Sequence, residues 1–310
     1  MPSRLFTLAL FCTTLVAQAP APGTARTLAR PDLVLHYQDF GQGEPVLVLM
    51  GGPGMAAEAM EPVARIIAKR GRAILPDQRG TGKSIPKEAK AITLDATVED
   101  FEALRKHLGI QRWTVLGSSW GGMLALDYAA KRPDSIKGLV LVGSGGASFA
   151  GTRYYAQNRQ PRMSEDDRAA EAYWSRPEVV ARDPDRAAVE RMRSWIPAVF
   201  YDRTKAPEFI AYLQPGKAYY NTEAGDLLAN EFGQSGKGRI EALRKVYIPA
   251  LILHGRQDPF PEAIARETNA LLKGSHLVWI DRCGHIPWLD QPEAMEKALF
   301  AFLFPEPTKP

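Results

Sequence analysis

Gly117-Ser118-Ser119-Trp120-Gly121 decides how this chain is read. It is a complete G-x-S-x-G. The apolar stretch 113–116 before it has the character of a strand, and residues 120–131 after it have helical spacing until Pro133. A serine on so sharp a strand-to-helix turn projects its hydroxyl above the sheet. The flanking glycines remove a clash there, and the helix start offers unpaired N–H groups beside it. Ser119 is therefore the candidate nucleophile; Ser118 is out of frame, because Leu116 stands where its glycine should be.

Outward from this turn, strand and helix patterns alternate. Residues 33–37, 45–50, 72–75, 136–142, 248–254 and 276–280 read as strands; residues 58–69, 94–107, 261–272 and 293–304 read as helices. The run Pro45-Val46-Leu47-Val48-Leu49-Met50 is continuously apolar, as a strand buried on both faces must be. The alternation predicts an α/β architecture with a mostly parallel central sheet flanked by helices. Between residues 147 and 244 the strand runs vanish, and Arg, Tyr, Trp and Pro become frequent on helical patterns. A helical cap over residues 147–244, inserted after the sixth strand, is expected, with residues 23–146 and 245–310 forming the core.

Residues 1–22 are set apart. Arg4, an apolar run over 5–16 and the small-x-small Ala17-Gln18-Ala19 have the outline of a secretory signal peptide. Export to the periplasm or the medium is the expectation. The chain of 310 residues is 45% hydrophobic and 24% charged, which excludes a disordered chain. A net charge of +4 without a basic stripe gives no reason to expect a nucleic-acid partner. Two cysteines and five histidines offer no spaced metal cluster, and no metal or cofactor is expected. Thr81-Gly82-Lys83-Ser84 fails as a phosphate loop, because position 77 is aspartate; Gly143-Ser144-Gly145 fails as a dinucleotide loop, because Ser148 replaces its third glycine.

A serine needs a base, and the base an orienting carboxylate. Asp258 follows the strand at 248–254, and His285 follows the strand at 276–280. Both fall past carboxyl ends of strands, where active-site loops of open α/β sheets lie. His36 and His276 lie within strand patterns, His107 ends a helix and His254 ends a strand. Asp281 and Asp290 are rival acids, both too near His285, and Asp290 is in the wrong order. Developing oxyanion charge needs two backbone donors. The Gly51-Gly52-Pro53-Gly54 loop supplies one, at Gly52, and Trp120, the residue after the nucleophile, the other. Cys283, two residues before His285, is expected within reach of the site without being a nucleophile.

Together these pieces resemble the α/β-hydrolase fold, and within it the proline iminopeptidase family of serine peptidases. Met50 to Gly54 is similar to that family's H-G-G-P-G. Asp77 to Ser84 matches its D-Q-R-G-x-G-x-S, Gly117 to Gly122 its G-x-S-W-G-G, Gly255 to Asp258 its G-R-x-D, and Gly284-His285 its G-H. The resemblance covers roughly residues 30–150 and 245–304. It implies removal of an N-terminal residue, proline foremost, from a short peptide. Met50 departs from the pattern, standing where the family has a histidine that supports the oxyanion loop. The family holds the substrate amine with cap glutamates, so the resemblance points to Glu178 in Trp174-Ser175-Arg176-Pro177-Glu178, with Glu223 or Glu231 as its partner. Tyr173 and Trp174 are expected to wall a proline ring. The alternative is an esterase or lactonase that uses the same three residues on a small neutral acyl substrate.

Overall fold

The structure is a computed structural model that describes residues 23–306; the signal-peptide reading of residues 1–22 lies outside them. The apolar runs fall where their patterns place them. β3 (Pro45–Leu49) is enclosed, with Val46 to Leu49 no more than 1% exposed. Val46 and Val48 face one hydrophobic cluster, and Leu47 and Leu49 the other. The period-2 alternation of a strand thus feeds two cores, one on each face of the sheet.

The order along the chain is β1 (Thr24–Ala29), β2 (Val34–Gly41), β3, α1 (Glu61–Ala68), β4 (Arg72–Pro76), α2 (Leu94–His107), β5 (Trp113–Ser118), α3 (Trp120–Lys131) and β6 (Ile136–Val142). Six helices follow: α4 (Thr152–Arg159), α5 (Glu165–Trp174), α6 (Pro177–Arg182), α7 (Pro184–Trp195), α8 (Ala206–Ile210) and α9 (Thr222–Leu243). The core resumes with β7 (Ala250–Gly255), α10 (Glu262–Leu271), β8 (Ser275–Ile280), α11 (Pro287–Asp290) and α12 (Pro292–Leu303). The eight strands lie in the order β1-β2-β4-β3-β5-β6-β7-β8. β2 runs antiparallel to both of its neighbours, and β4 to β8 pair in parallel through β3.

β1 is absent from the sequence reading. Its residues, Thr-Ala-Arg-Thr-Leu-Ala, form an exposed edge strand with no apolar face to betray it. At the other end of the expected cap, α9 is a flanking helix of the sheet. Its Ala224, Leu228, Phe232 and Leu243 join the core packed on α2 and α3. The buried Arg239 donates Nε to Asp127 of α3 at 2.8 Å and Nη1 to the Ala147 carbonyl at 3.0 Å. A charge so placed is tolerated because it is paired. Both ends of the insertion are thereby tied to the core, which leaves α4, α7 and α8 to roof the carboxyl ends of the strands.

Candidate active site

Ser119 joins β5 to α3 with φ 53° and ψ −115°, a region that an L residue occupies only when its surroundings force it. Those surroundings are glycines. A Cβ on Gly117 would lie 2.1 Å from the Gly121 carbonyl oxygen, and one on Gly121 would lie 2.3 Å from that of Leu49. The Ser119 N–H donates to the Val142 carbonyl at 2.8 Å, fixing the turn against β6.

His285 and Asp258 meet as the chain order requires. His285 Nδ1 lies 2.9 Å from Asp258 Oδ2 and 3.0 Å from Oδ1. Both side chains are buried, and Phe260 N–H donates to Asp258 Oδ1 at 2.8 Å. Burial pushes the Asp258 carboxyl up, yet the charge and hydrogen bond of His285, with help from His254 and the Phe260 N–H, hold it below the ordinary aspartate range. Asp258 is therefore an anion at neutral pH, able to fix the ring and stabilise an imidazolium. Gly143 makes room for the pair. Its φ is +52°, and a Cβ there would lie 2.9 Å from Asp258 Oδ2 and 3.1 Å from His285 Nδ1.

The rival acids have other work. Asp281 pairs with Arg256 at the surface. Asp290 is a clasp: its oxygens accept from Gly284 N–H at 2.7 Å, Tyr201 N–H at 2.9 Å and Asp202 N–H at 3.1 Å. His285 N–H donates to the Val199 carbonyl at 2.7 Å. The histidine loop is thus laced to residues 199–202 of the insertion. Asn158 of α4 likewise donates to the Pro259 carbonyl beside the acid, at 2.9 Å.

Ser119 and His285 open onto one cavity of about 260 Å³. Gly51, Gly52 and Trp120 border it from the core side; Tyr155, Trp195 and Phe209 border it from the insertion. Trp120 opens α3, so its N–H has no intrahelical acceptor. Gly52, at φ +63°, likewise has no backbone acceptor for its N–H among the described residues. Both predicted oxyanion donors therefore stand unpaired at the wall that carries Ser119. Tyr155 packs its ring 5.0 Å from that of His285 and 4.7 Å from that of Phe260, and burial pushes its phenol far above the ordinary range. It stays neutral at any working pH.

The residues expected to hold an amine lie elsewhere. Glu178 is exposed on α6, and Glu223 is exposed and 3.5 Å from Lys217. Glu231 caps α2, accepting from the Leu94 N–H at 2.8 Å. Tyr173 and Trp174 meet edge to face at 5.1 Å, with Arg176 over the first and Arg186 over the second. None of the five borders the cavity, and among the described residues no carboxylate does. The physical reason is placement: α5 and α6, which carry Tyr173, Trp174 and Glu178, lie outside the roof that α4, α7 and α8 form, while Glu223 and Glu231 sit on α9, which flanks the sheet. Cys283 is fully buried, does not border the cavity, and has its thiol pushed up by burial. Sequence reasoning missed Gly143, whose signal was a glycine at the end of a buried strand. It also missed the aromatic walls, which carry no local signal.

A family model described as the alpha/beta hydrolase fold matches residues 44–292. A probable proline iminopeptidase of Leptolyngbya boryana is 41% identical over 117 residues, 35% of this chain and 35% of that relative's own length. The proline iminopeptidase of Lactobacillus helveticus (strain DPC 4571) is 27% identical over 278 residues, 83% of this chain and 90% of its own. Among solved structures, a thermophilic esterase from Thermogutta terrifontis superposes with a TM-score of 0.66 at 26% identity, covering 91% of this chain and 98% of that one.

Proposed function

The chain belongs to the α/β-hydrolase family, and from that premise we propose that it is a serine hydrolase in which Ser119, His285 and Asp258 act as one unit. The observation that carries this is a strained serine and an Asp-paired histidine bordering one cavity. His285 takes the Ser119 proton as the hydroxyl attacks the substrate carbonyl, and the Gly52 and Trp120 N–H groups receive the oxyanion. The leaving group departs with the proton from His285, which leaves an acyl-enzyme. Water, activated by the same histidine, releases the acid.

For the substrate we read the N-terminal residue of a short peptide, proline foremost. Relatives bearing that name align over most of the chain. A cavity of about 260 Å³ with aromatic walls suits a compact apolar ring; pockets for larger ligands run to about 300–1,000 Å³. A second reading, hydrolysis of an ester of a small neutral acyl group, is favoured by one observation: among the described residues no carboxylate borders the cavity. A desolvated ammonium without an anionic partner is costly. The deciding experiment compares a proline arylamide, its N-acetylated form and p-nitrophenyl butyrate. Peptidase preference requires that acetylation abolish cleavage; equal rates on free and acetylated substrates select the esterase reading. Failure of a fluorophosphonate to label Ser119 removes both.

A further inference from the structure

Gln78 belongs to the Asp77-Gln78-Arg79-Gly80 stretch, follows β4 and is 2% exposed. Its Nε2 donates to the Met50 carbonyl at 2.8 Å. Met50 is the residue before Gly51, where the main chain rests on the nucleophile turn without slack. A Cβ on Gly51 would lie 2.9 Å from Ser119 Cβ and 3.0 Å from the Ser118 carbonyl oxygen. Gly52 then turns left-handed, and its carbonyl accepts from Met55 N–H at 2.9 Å. The far end of the loop is gripped by Asn221, whose N–H donates to the Gly54 carbonyl at 2.9 Å. On the strand side the grip is Gln78.

That grip is itself fixed. Asp77 accepts from Lys83 N–H at 2.9 Å and from Ala57 N–H at 3.3 Å. Arg79 is buried in ion pairs with Asp100, at 2.8 Å, and Asp32. Residues 77–79 are therefore tied down on both sides of Gln78, whose amide holds the start of the Gly51–Gly52 loop. We infer that Gln78 is a positioning residue for hydrolysis: its amide sets the height of the Gly51–Gly52 main chain over Ser119, and with it the aim of the Gly52 N–H. This rests on the serine mechanism proposed above. Gln78 touches no reacting atom. It acts on the transition state alone, because only the tetrahedral species places its oxygen where Gly52 points.

Gln78→Leu removes the donor at nearly constant size, and Gln78→Glu makes it conditional. A protonated carboxyl donates to the Met50 carbonyl; a carboxylate repels it. With p-nitrophenyl butyrate as probe, Gln78→Leu lowers kcat about tenfold or more and leaves KM within twofold. A boronic acid that forms a tetrahedral adduct on serine loses affinity in proportion to kcat, while butyrate, the product, binds unchanged. In Gln78→Glu, kcat relative to wild type recovers as the pH is lowered from about 8 to about 5, since burial raises the new carboxyl; thermal unfolding across the same range separates this from stability. A folded Gln78→Leu with kcat within twofold of wild type overturns the inference. So does an equal loss of affinity for boronate and butyrate. If Gln78→Leu does not fold, Gln78→Glu decides, and a flat ratio across pH overturns it. Activity surviving in Ser119→Ala would instead sink the serine mechanism, whatever Gln78 does.

Discussion

Gly143→Ala puts a methyl group where Asp258 and His285 meet. The added Cβ falls 2.9 Å from Asp258 Oδ2, where ordinary contact begins near 3.4 Å, so the carboxylate must retreat by about half an ångström. Displacing a catalytic group by about 1 Å costs on the order of a hundredfold in rate, so about tenfold in kcat is expected here. The variant also holds alanine in the left-handed region, which costs about 1–2 kcal/mol of stability. Gly109→Ala separates the two effects. Gly109 has φ +67° and nothing within 4 Å of its Cβ position. It suffers the same backbone penalty far from the site. Gly109→Ala should therefore lose only the backbone penalty and Gly143→Ala at least as much in thermal unfolding, while only Gly143→Ala loses kcat on p-nitrophenyl butyrate. Equal kcat in the two folded variants would show that the spacing of Asp258 and His285 does not limit turnover.

Ser119→Ala and His285→Ala should each lower kcat by three or more orders of magnitude, and the double variant little further; additive losses would break the proposed unit. Glu178→Gln should change cleavage of a proline arylamide and of a neutral ester equally, since Glu178 is exposed and off the cavity; a selective loss on the arylamide would place it at the amine. Glu102 provides a pH test of stability. Burial raises its carboxyl, but hydrogen bonds from Arg105, Tyr128 and Ser135 outweigh that and hold it at about 2, against an ordinary 4.5. A depressed folded value stabilises the protein above the unfolded value and is lost as pH falls from about 4.5 to about 2. Glu102→Gln should lower the urea midpoint at pH 7 and flatten its decline toward pH 3; a decline parallel to wild type would refute this.

Ser119, Asp258 and His285 could be singled out as candidates because their signals are local. Ser119 is announced by the glycines that its turn requires, and Asp258 and His285 by their places just past strands. The strand alternation was legible for the same reason, since burial on both faces leaves unbroken apolar runs. β1 was not, because an exposed edge strand has no apolar period to show. Tyr155, Trp195 and Phe209 converge from three separate helices, and nothing in the spacing of 155, 195 and 209 encodes that meeting. Glu178 falls off the cavity for a related reason: similarity around Trp174 describes a local segment, while its distance from Ser119 is set by how α5 and α6 pack; Glu223 and Glu231 follow α9, which packs beside the sheet. Gly143 was visible but was tested against the wrong chemistry, a nucleotide loop rather than room for an Asp–His pair.

The Asp290 clasp bears on how anything enters. Three N–H groups, at Gly284, Tyr201 and Asp202, converge on one carboxylate, and His285 is bonded through its own main chain to Val199. Lifting residues 199–202 to admit a substrate must either break all of these bonds together or carry His285 away from Ser119. Roof and base are coupled on this side: residues 199–202 move only at the cost of these bonds, or with the His285 loop in tow.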